Sequence, residues 1–288
     1  MGNAASDKHI MEELLKTGYP LEIKVSEELE RNWNWIVFNN EPYFDEDASK
    51  TREIDVSAIH VREPKQLVLR SKKSPFFLEF RLALECKKSD THAWIFFTRP
   101  EIVTIGIGDG QTDDFLNIFS KGKKSFLNEL QIPTLHYSRF KRAARTYCEV
   151  KYQGQSSGKS EIFEASNQLA KFLSFDMERE RKTIAETTSS RDVMFYFAAV
   201  IFEGKLYEAI VKKGKLQLTR KDHVLLKTGI RSKVRERYFD IVIDVVTTDG
   251  ISRYLKCLEE DTKILFSCFM SNRKKLESKA DDLMEFFE

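Results

Sequence analysis

Residues 78–88 constrain the fold most. Leu78, Phe80, Leu82, Leu84 and Cys86 alternate with Glu79, Arg81, Ala83, Glu85 and Lys87. Side chains along a strand point to opposite faces in turn. One face of this strand is therefore wholly apolar, and the other ends in charge. Glu85 and Lys87 share that second face, two positions apart. A carboxylate so placed can hold a divalent cation, and the ammonium beside it can stabilise phosphate charge or orient a water.

Residues 51–59 read as a second strand, with Ile54, Val56 and Ala58 on one side and Glu53, Asp55 and Ser57 on the other. Pairing the two strands brings Asp55 to Glu85. Two carboxylates about 4 Å apart repel by roughly 4 kcal/mol at an effective dielectric near 20. Such a pair needs a proton or a cation between its members, and its oxygens suit Mg²⁺. Upstream, Pro20 suits the first turn of a helix. Leu21, Val25 and Leu29 then recur at helical spacing, with Glu22 at the edge of their stripe.

An acid on one strand, Glu85-Cys86-Lys87 on the next and Glu22 on a preceding helix together resemble the PD-(D/E)xK nuclease superfamily. The segment Arg52-Glu53-Ile54-Asp55 is similar to the Mrr and archaeal junction-resolvase branches. The resemblance covers roughly residues 18–98. It departs from the family pattern in having no Pro before Asp55 and a long interval between Asp55 and Glu85. It implies a restriction-endonuclease-like α/β fold, with a mixed central sheet flanked by helices and an accessory insertion. It also implies Mg²⁺ or Mn²⁺ held by Asp55, Glu85 and the Cys86 carbonyl, with Glu22 supporting a ligand or a second ion. Lys87 would position or help deprotonate the attacking water. The implied activity is hydrolysis of DNA phosphodiester bonds in restriction, repair or junction processing. Two other readings stand beside it. One is a non-catalytic nucleic-acid- or partner-binding protein on the same fold; the other is a globular protein in which Asp55, Glu85 and Lys87 form a structural ion-pair network.

With 288 residues, 41% of them hydrophobic, the chain can build its core without disulfides or a structural metal. Residues 1–8 read as a flexible tail and 9–288 as one α/β domain. In that domain the catalytic core spans about 18–98, an insertion about 100–160, and the remaining sheet and C-terminal helices 161–288. Met1-Gly2 through Ser6 matches a myristoylation pattern, although a small-residue tail is the simpler account. The four cysteines have neither C-x-x-C spacing nor zinc-spaced histidines, and there is no 18-residue apolar run. A cytoplasmic protein without a membrane partner is expected, with DNA as partner and a homodimer left open.

The net charge of +2 gives no global polyanion signal, so any DNA footprint must be local. Three basic regions are candidates: Lys121 to Lys124; the stretch carrying Arg139, Arg142 and Arg145 beside a Tyr137–Phe140–Ala144–Tyr147 stripe; and residues 212–237, with Lys212, Lys213 and Arg231.

Other apparent motifs fail on spacing. Gly106 to Gly110 lacks the third glycine of a dinucleotide loop, because position 111 is Gln111. Gly154 to Ser160 has three residues between its glycines where a phosphate loop needs four, which also removes the reason to read Asp244 as its partner acid. Asp45-Glu46-Asp47 lacks the calcium-loop pattern and reads as a solvated turn. His92 reads as a structural residue. Expected turns at Ser89-Asp90 and at Gly204 divide residues 78–97 and 193–211 into strand pairs.

Overall fold

The computed structural model describes residues 7–62, 76–101, 135–153, 160–186, 191–231 and 238–272. The fold is mixed α/β, an eight-stranded sheet with helices on both faces. Helices α1 (Asp7–Leu14) and α2 (Tyr19–Trp33) lead into β1 (Ile36–Asp45), β2 (Lys50–Arg62) and β3 (Phe76–Pro100). A short helix α3 (His136–Arg139), β4 (Arg142–Lys151) and α4 (Glu161–Glu186) follow. Then come β5 (Arg191–Lys212), β6 (Lys215–Arg220), β7 (His223–Arg231), β8 (Tyr238–Thr247) and α5 (Ile251–Ser271).

The strand order is β1-β2-β3-β4-β7-β8-β5-β6, and β3 also pairs with β5. That extra pairing, parallel from Phe76↔Arg191 to Phe97↔Ala209, closes a circuit β3–β4–β7–β8–β5. The antiparallel pair β1–β2 attaches to the N-terminal half of β3, and β6 flanks the C-terminal half of β5. The circuit's centre is β5, nearly continuous in apolar residues because both its faces are covered. Phe195, Phe197 and Ala199 face α2 and α5, whereas Tyr196, Ala198 and Val200 face α4.

Leu21, Val25 and Leu29 of α2 are fully buried, at roughly 1.5–3 kcal/mol each. That stripe fixes the helix against the sheet and so fixes Glu22, next to Leu21. On α4, Ile162, Ala165, Leu169 and Phe172 do the same on the opposite face. Ser160 accepts the Phe163 N–H at 3.2 Å and caps α4, as its place before the helix predicts.

Both expected turns are absent. β3 runs unbroken through Ser89-Asp90, with only a shift of register against β5 between Lys88 and Ala93. β5 likewise passes straight through Gly204. A Cβ at Gly204 would stand 2.3 Å from Phe202 Cζ, so the glycine makes room for a ring instead of a turn. The ring of Phe202 stacks on Trp94 at 3.9 Å between centroids. β4, inside the segment expected as an insertion, belongs to the sheet. Of the Tyr137–Tyr147 stripe, only residues 136–139 are helical, because Arg142 onward pairs with β3. The interval 63–75 between β2 and β3, residues 102–134 with Lys121 to Lys124, and the loop 154–159 lie outside the described residues.

Candidate functional site

Where β2 separates from β3, four of the expected residues converge. The β2–β3 ladder ends at Val56↔Leu84. One residue further, the Asp55 carboxylate takes over the role of a ladder carbonyl and accepts the Cys86 N–H at 2.7 Å. Asp55 is thereby aimed across the gap at the third strand of the sheet. Lys87 Nζ lies 2.6 Å from Glu85 Oε2 and 3.4 Å from Asp55 Oδ2. Glu22 enters from α2. A Cβ at Gly18, the residue that opens this helix, would lie 3.1 Å from Glu22 Oε1 and 3.8 Å from the Cys86 carbonyl oxygen. The missing side chain at Gly18 thus leaves room for both oxygens.

Burial differs sharply among these groups. The Glu85 side chain is inaccessible, while those of Asp55 and Lys87 are 19% and 23% exposed. The site is therefore a buried carboxyl reached past two part-exposed partners. Burial pushes the Glu85 carboxyl up, to about 8, and Asp55 and Glu22 push the same way against Lys87. Glu22 is raised chiefly by burial and next by Asp55, with Lys87 opposing. Burial disfavours the Lys87 charge, yet the neighbouring Glu85 and Asp55 carboxylates outweigh it and hold the amine well above its usual range. Lys87 is accordingly an ammonium. Tyr43 on β1 is raised by burial and next by the charge of Glu85.

Glu85 Oε1 is buried and has no hydrogen-bond partner among the described residues. Such an orphan costs about 1–3 kcal/mol unless something occupies its lone pairs. A proton or a hard cation would satisfy it. Yet as placed, no three His, Cys, Asp or Glu side chains among the described residues form a group that could hold a metal ion. The Lys87 ammonium stands between Asp55 and Glu85, so an ion shared by the two acids has to displace it. The oxygen-only donors Asp55, Glu85, Glu22 and the Cys86 carbonyl fit Mg²⁺ or Mn²⁺ by chemistry.

The raised Glu85 carboxyl carries a stability signature. An unfolded Glu ionises near 4.5, and the folded one near 8. The protonated side chain's contribution is full below the first value and is lost as pH rises through the second. Glu85→Gln keeps a neutral side chain and should flatten that limb. In chelator, wild-type melting temperature should fall more steeply than the variant's between about pH 5 and pH 9. Parallel curves would show that Glu85 is ionised throughout.

The three arginines expected to face phosphates are engaged within the protein. Arg139 pairs with Glu260 at 3.0 Å, and Arg145 with Glu101 at 2.7 Å. Arg142 bonds the Thr98 carbonyl at 2.6 Å and lies 3.5 Å from Glu208. Each therefore has an acceptor within the fold, with Arg139 and Arg145 still 47% and 43% exposed. Lys212 and Lys213 are exposed at the β5–β6 turn. Arg231 pairs with Tyr238 in the β7–β8 ladder, and its side chain lies outside the described residues. Asp45, expected in solvent, is 2% exposed and bound by Arg52 at 2.7 Å and Lys171 at 2.8 Å. It ties the β1–β2 turn to α4. His92 is structural, held through Nδ1 by Thr91 at 2.8 Å and Ser89 at 3.3 Å.

A second polar cluster escaped the sequence. His136 lies between two buried acids. Its Nδ1 bonds Asp261 of α5, and its Nε2 is 3.2 Å from both oxygens of Asp244 on β8. His223 of β7 reaches Asp244 at 2.7 Å. The bonded pairs are 21 to 125 positions apart in the chain, so no local spacing announces them.

No protein-family model, curated protein or solved structure matches the chain. Among the described residues, no helix is long and apolar enough to cross a membrane.

Proposed function

We propose that the protein is a divalent-metal-dependent endonuclease that hydrolyses DNA phosphodiester bonds on a restriction-endonuclease-like core. One observation carries this reading: Asp55 leaves the ladder to bond the Cys86 backbone and meets Glu85 and Lys87 at a point that Glu22 also approaches. A purely structural strand pair has no need to end its ladder on a carboxylate.

Asp55, Glu85 and the Cys86 carbonyl would hold the ion, with Glu22 beside them. The bound ion supplies Lewis acidity and makes hydroxide available near neutral pH. Lys87, held as an ammonium, brings charge and hydrogen bonds to the phosphate or the attacking water and does not take its proton. Asp55, tied to the Cys86 N–H, keeps its carboxylate fixed while substrate enters. To hold a cation the buried Glu85 would have to give up its proton, so its part in the site would grow as pH rises toward 8.

The direct Lys87 contacts favour one competing reading, a structural ion-pair network. A single experiment separates the two. Supercoiled plasmid should be nicked or linearised with Mg²⁺ or Mn²⁺ and left intact with EDTA, and either cation should raise the melting temperature. A protein that neither cleaves nor gains stability from cations would leave only the structural network.

A further inference from the structure

We propose that the β5–β6 hairpin is a β-ribbon that enters a groove of duplex DNA and grips its backbone. This deepens the nuclease reading and rests on it for the position of the scissile bond. The ribbon follows from local chemistry. Val211↔Leu216 and Lys212↔Lys215 pair, and Lys213-Gly214 turns the chain with φ of 53° and 74°. Positive φ at both central residues is the two-residue turn whose twist matches a hairpin. Beyond Ala209, where pairing with β3 ends, only β5 and β6 remain paired. Three ladder pairs extend past that point, roughly 10 Å of two-stranded ribbon at 3.3 Å per residue.

Every residue from 211 to 220 is exposed. Lys212, Lys213 and Lys215 make no salt bridge to a described residue, unlike Arg139, Arg142 and Arg145. These three charges at one tip are free to meet phosphates. Val211, Leu216 and Leu218 are 71%, 56% and 54% exposed and share one ribbon face. That is unusual apolar exposure for a strand pair in water, and it suits the sugars and base edges of a groove wall. A B-form major groove is about 12 Å wide and 8.5 Å deep and admits a two-stranded ribbon.

The ribbon's position ties it to the candidate site. Phe202 of β5 pairs with Lys87, and Lys212 lies ten residues further along the same strand. That path is at most about 33 Å, close to one duplex turn of about 34 Å. A duplex whose scissile phosphate lies at Lys87 can present its next groove at the tip.

The test is anisotropy in EDTA with a labelled duplex of about 30 base pairs, three turns, and with the single strand of the same sequence. The full-length protein is compared with its Lys212→Ser/Lys213→Asn/Lys215→Ser variant. We expect wild type to prefer the duplex. The triple variant should lose at least about tenfold in affinity, and its salt slope should fall by about 2.7, which is 0.9 for each of three phosphate contacts. Its melting temperature should not change, because all three side chains are exposed. Preference for the single strand, or a triple variant that binds like wild type, overturns the ribbon even if plasmid is cleaved. Overturning results also include ribbon-dependent binding to phosphatidylserine vesicles instead of duplex, or loss of a dimer in the variant by light scattering. Ribbon-dependent duplex binding by a protein that never cleaves upholds the ribbon and sinks the nuclease.

Discussion

If the proposed nuclease activity is present, Asp55→Ala and Lys87→Ala should each reduce plasmid cleavage by about 10²–10³-fold, with folded protein still obtained. The size follows from what each group does. Removing one preorganised electrostatic partner at a reacting centre costs on the order of 10²–10³. Asp55 accepts the Cys86 N–H at 2.7 Å and, in the proposed reading, would also be a metal ligand. Both side chains are part-exposed, so neither substitution empties a core position. Lys87→Ala leaves Glu85 buried without its nearest cation. The carboxyl can then neutralise itself by keeping a proton, as its raised value already favours. The variant should therefore remain folded and need higher pH or more Mn²⁺ to bind an ion. The two substitutions separate in calorimetry: Asp55→Ala should weaken divalent binding directly, whereas Lys87→Ala should spare it at high pH while cleavage stays lost. Undiminished cleavage by either variant would remove that residue from the chemistry.

Much of this site was legible because strand alternation is local information. Glu85 and Lys87 share a face from their spacing alone, and Asp55 joins them once β2 and β3 are neighbours. Glu22 was legible from the helical repeat of Leu21, Val25 and Leu29. The way the strands separate was not legible, because it depends on where a ladder stops. Gly204 misled for a related reason. Glycine signals a turn in sequence, but here it clears space for the Phe202 ring on Trp94. The closed circuit of strands was equally hidden, since it rests on β3 pairing with β5, more than a hundred residues away. Charges misled most. Arg139, Arg142 and Arg145 looked like a basic face until their acceptors Glu260, Thr98 and Glu101 were placed beside them. A run of cations is available to a partner only where the fold leaves it unanswered, and Lys212, Lys213 and Lys215 make no salt bridge to a described residue.

Asp244→Asn should destabilise the fold more than Asp55→Ala, Lys87→Ala or Glu85→Gln, by about 3–5 kcal/mol, because it takes one of two carboxylate partners from a buried imidazolium. Asp244 and His136 are both inaccessible, and His136 is flanked by Asp244 and Asp261. Burial opposes the charged imidazole, but the two carboxylates outweigh it and raise His136 to about 9. Burial also opposes the Asp244 carboxylate, yet His136 and His223 hold it down at about 2. The signs are opposite for the two groups. The imidazolium's contribution is full below its ordinary value of 6.5 and is lost as pH rises through about 9. The carboxylate's contribution is full above 3.8 and is lost as pH falls through about 2. Stability from this pair should therefore plateau between about pH 4 and pH 6.5. Asp244→Asn abolishes the acid limb and removes one of the two carboxylates that keep His136 charged. Denaturant unfolding at about pH 6 should show the loss, equivalent to a drop on the order of 10 °C in melting temperature at 2–4 °C per kcal/mol. Adding His136→Gln should recover part of it, since the imidazolium is then no longer stranded, and the double-mutant cycle measures their coupling. The network also joins α3, β7, β8 and α5, none of which touches Asp55 or Lys87 by any described contact. Its loss should lower stability while leaving the cleavage rate of folded protein within about twofold, since distant sites without shared partners act independently. A fall in that rate comparable to Asp55→Ala would place Asp244 in the chemistry instead of the scaffold.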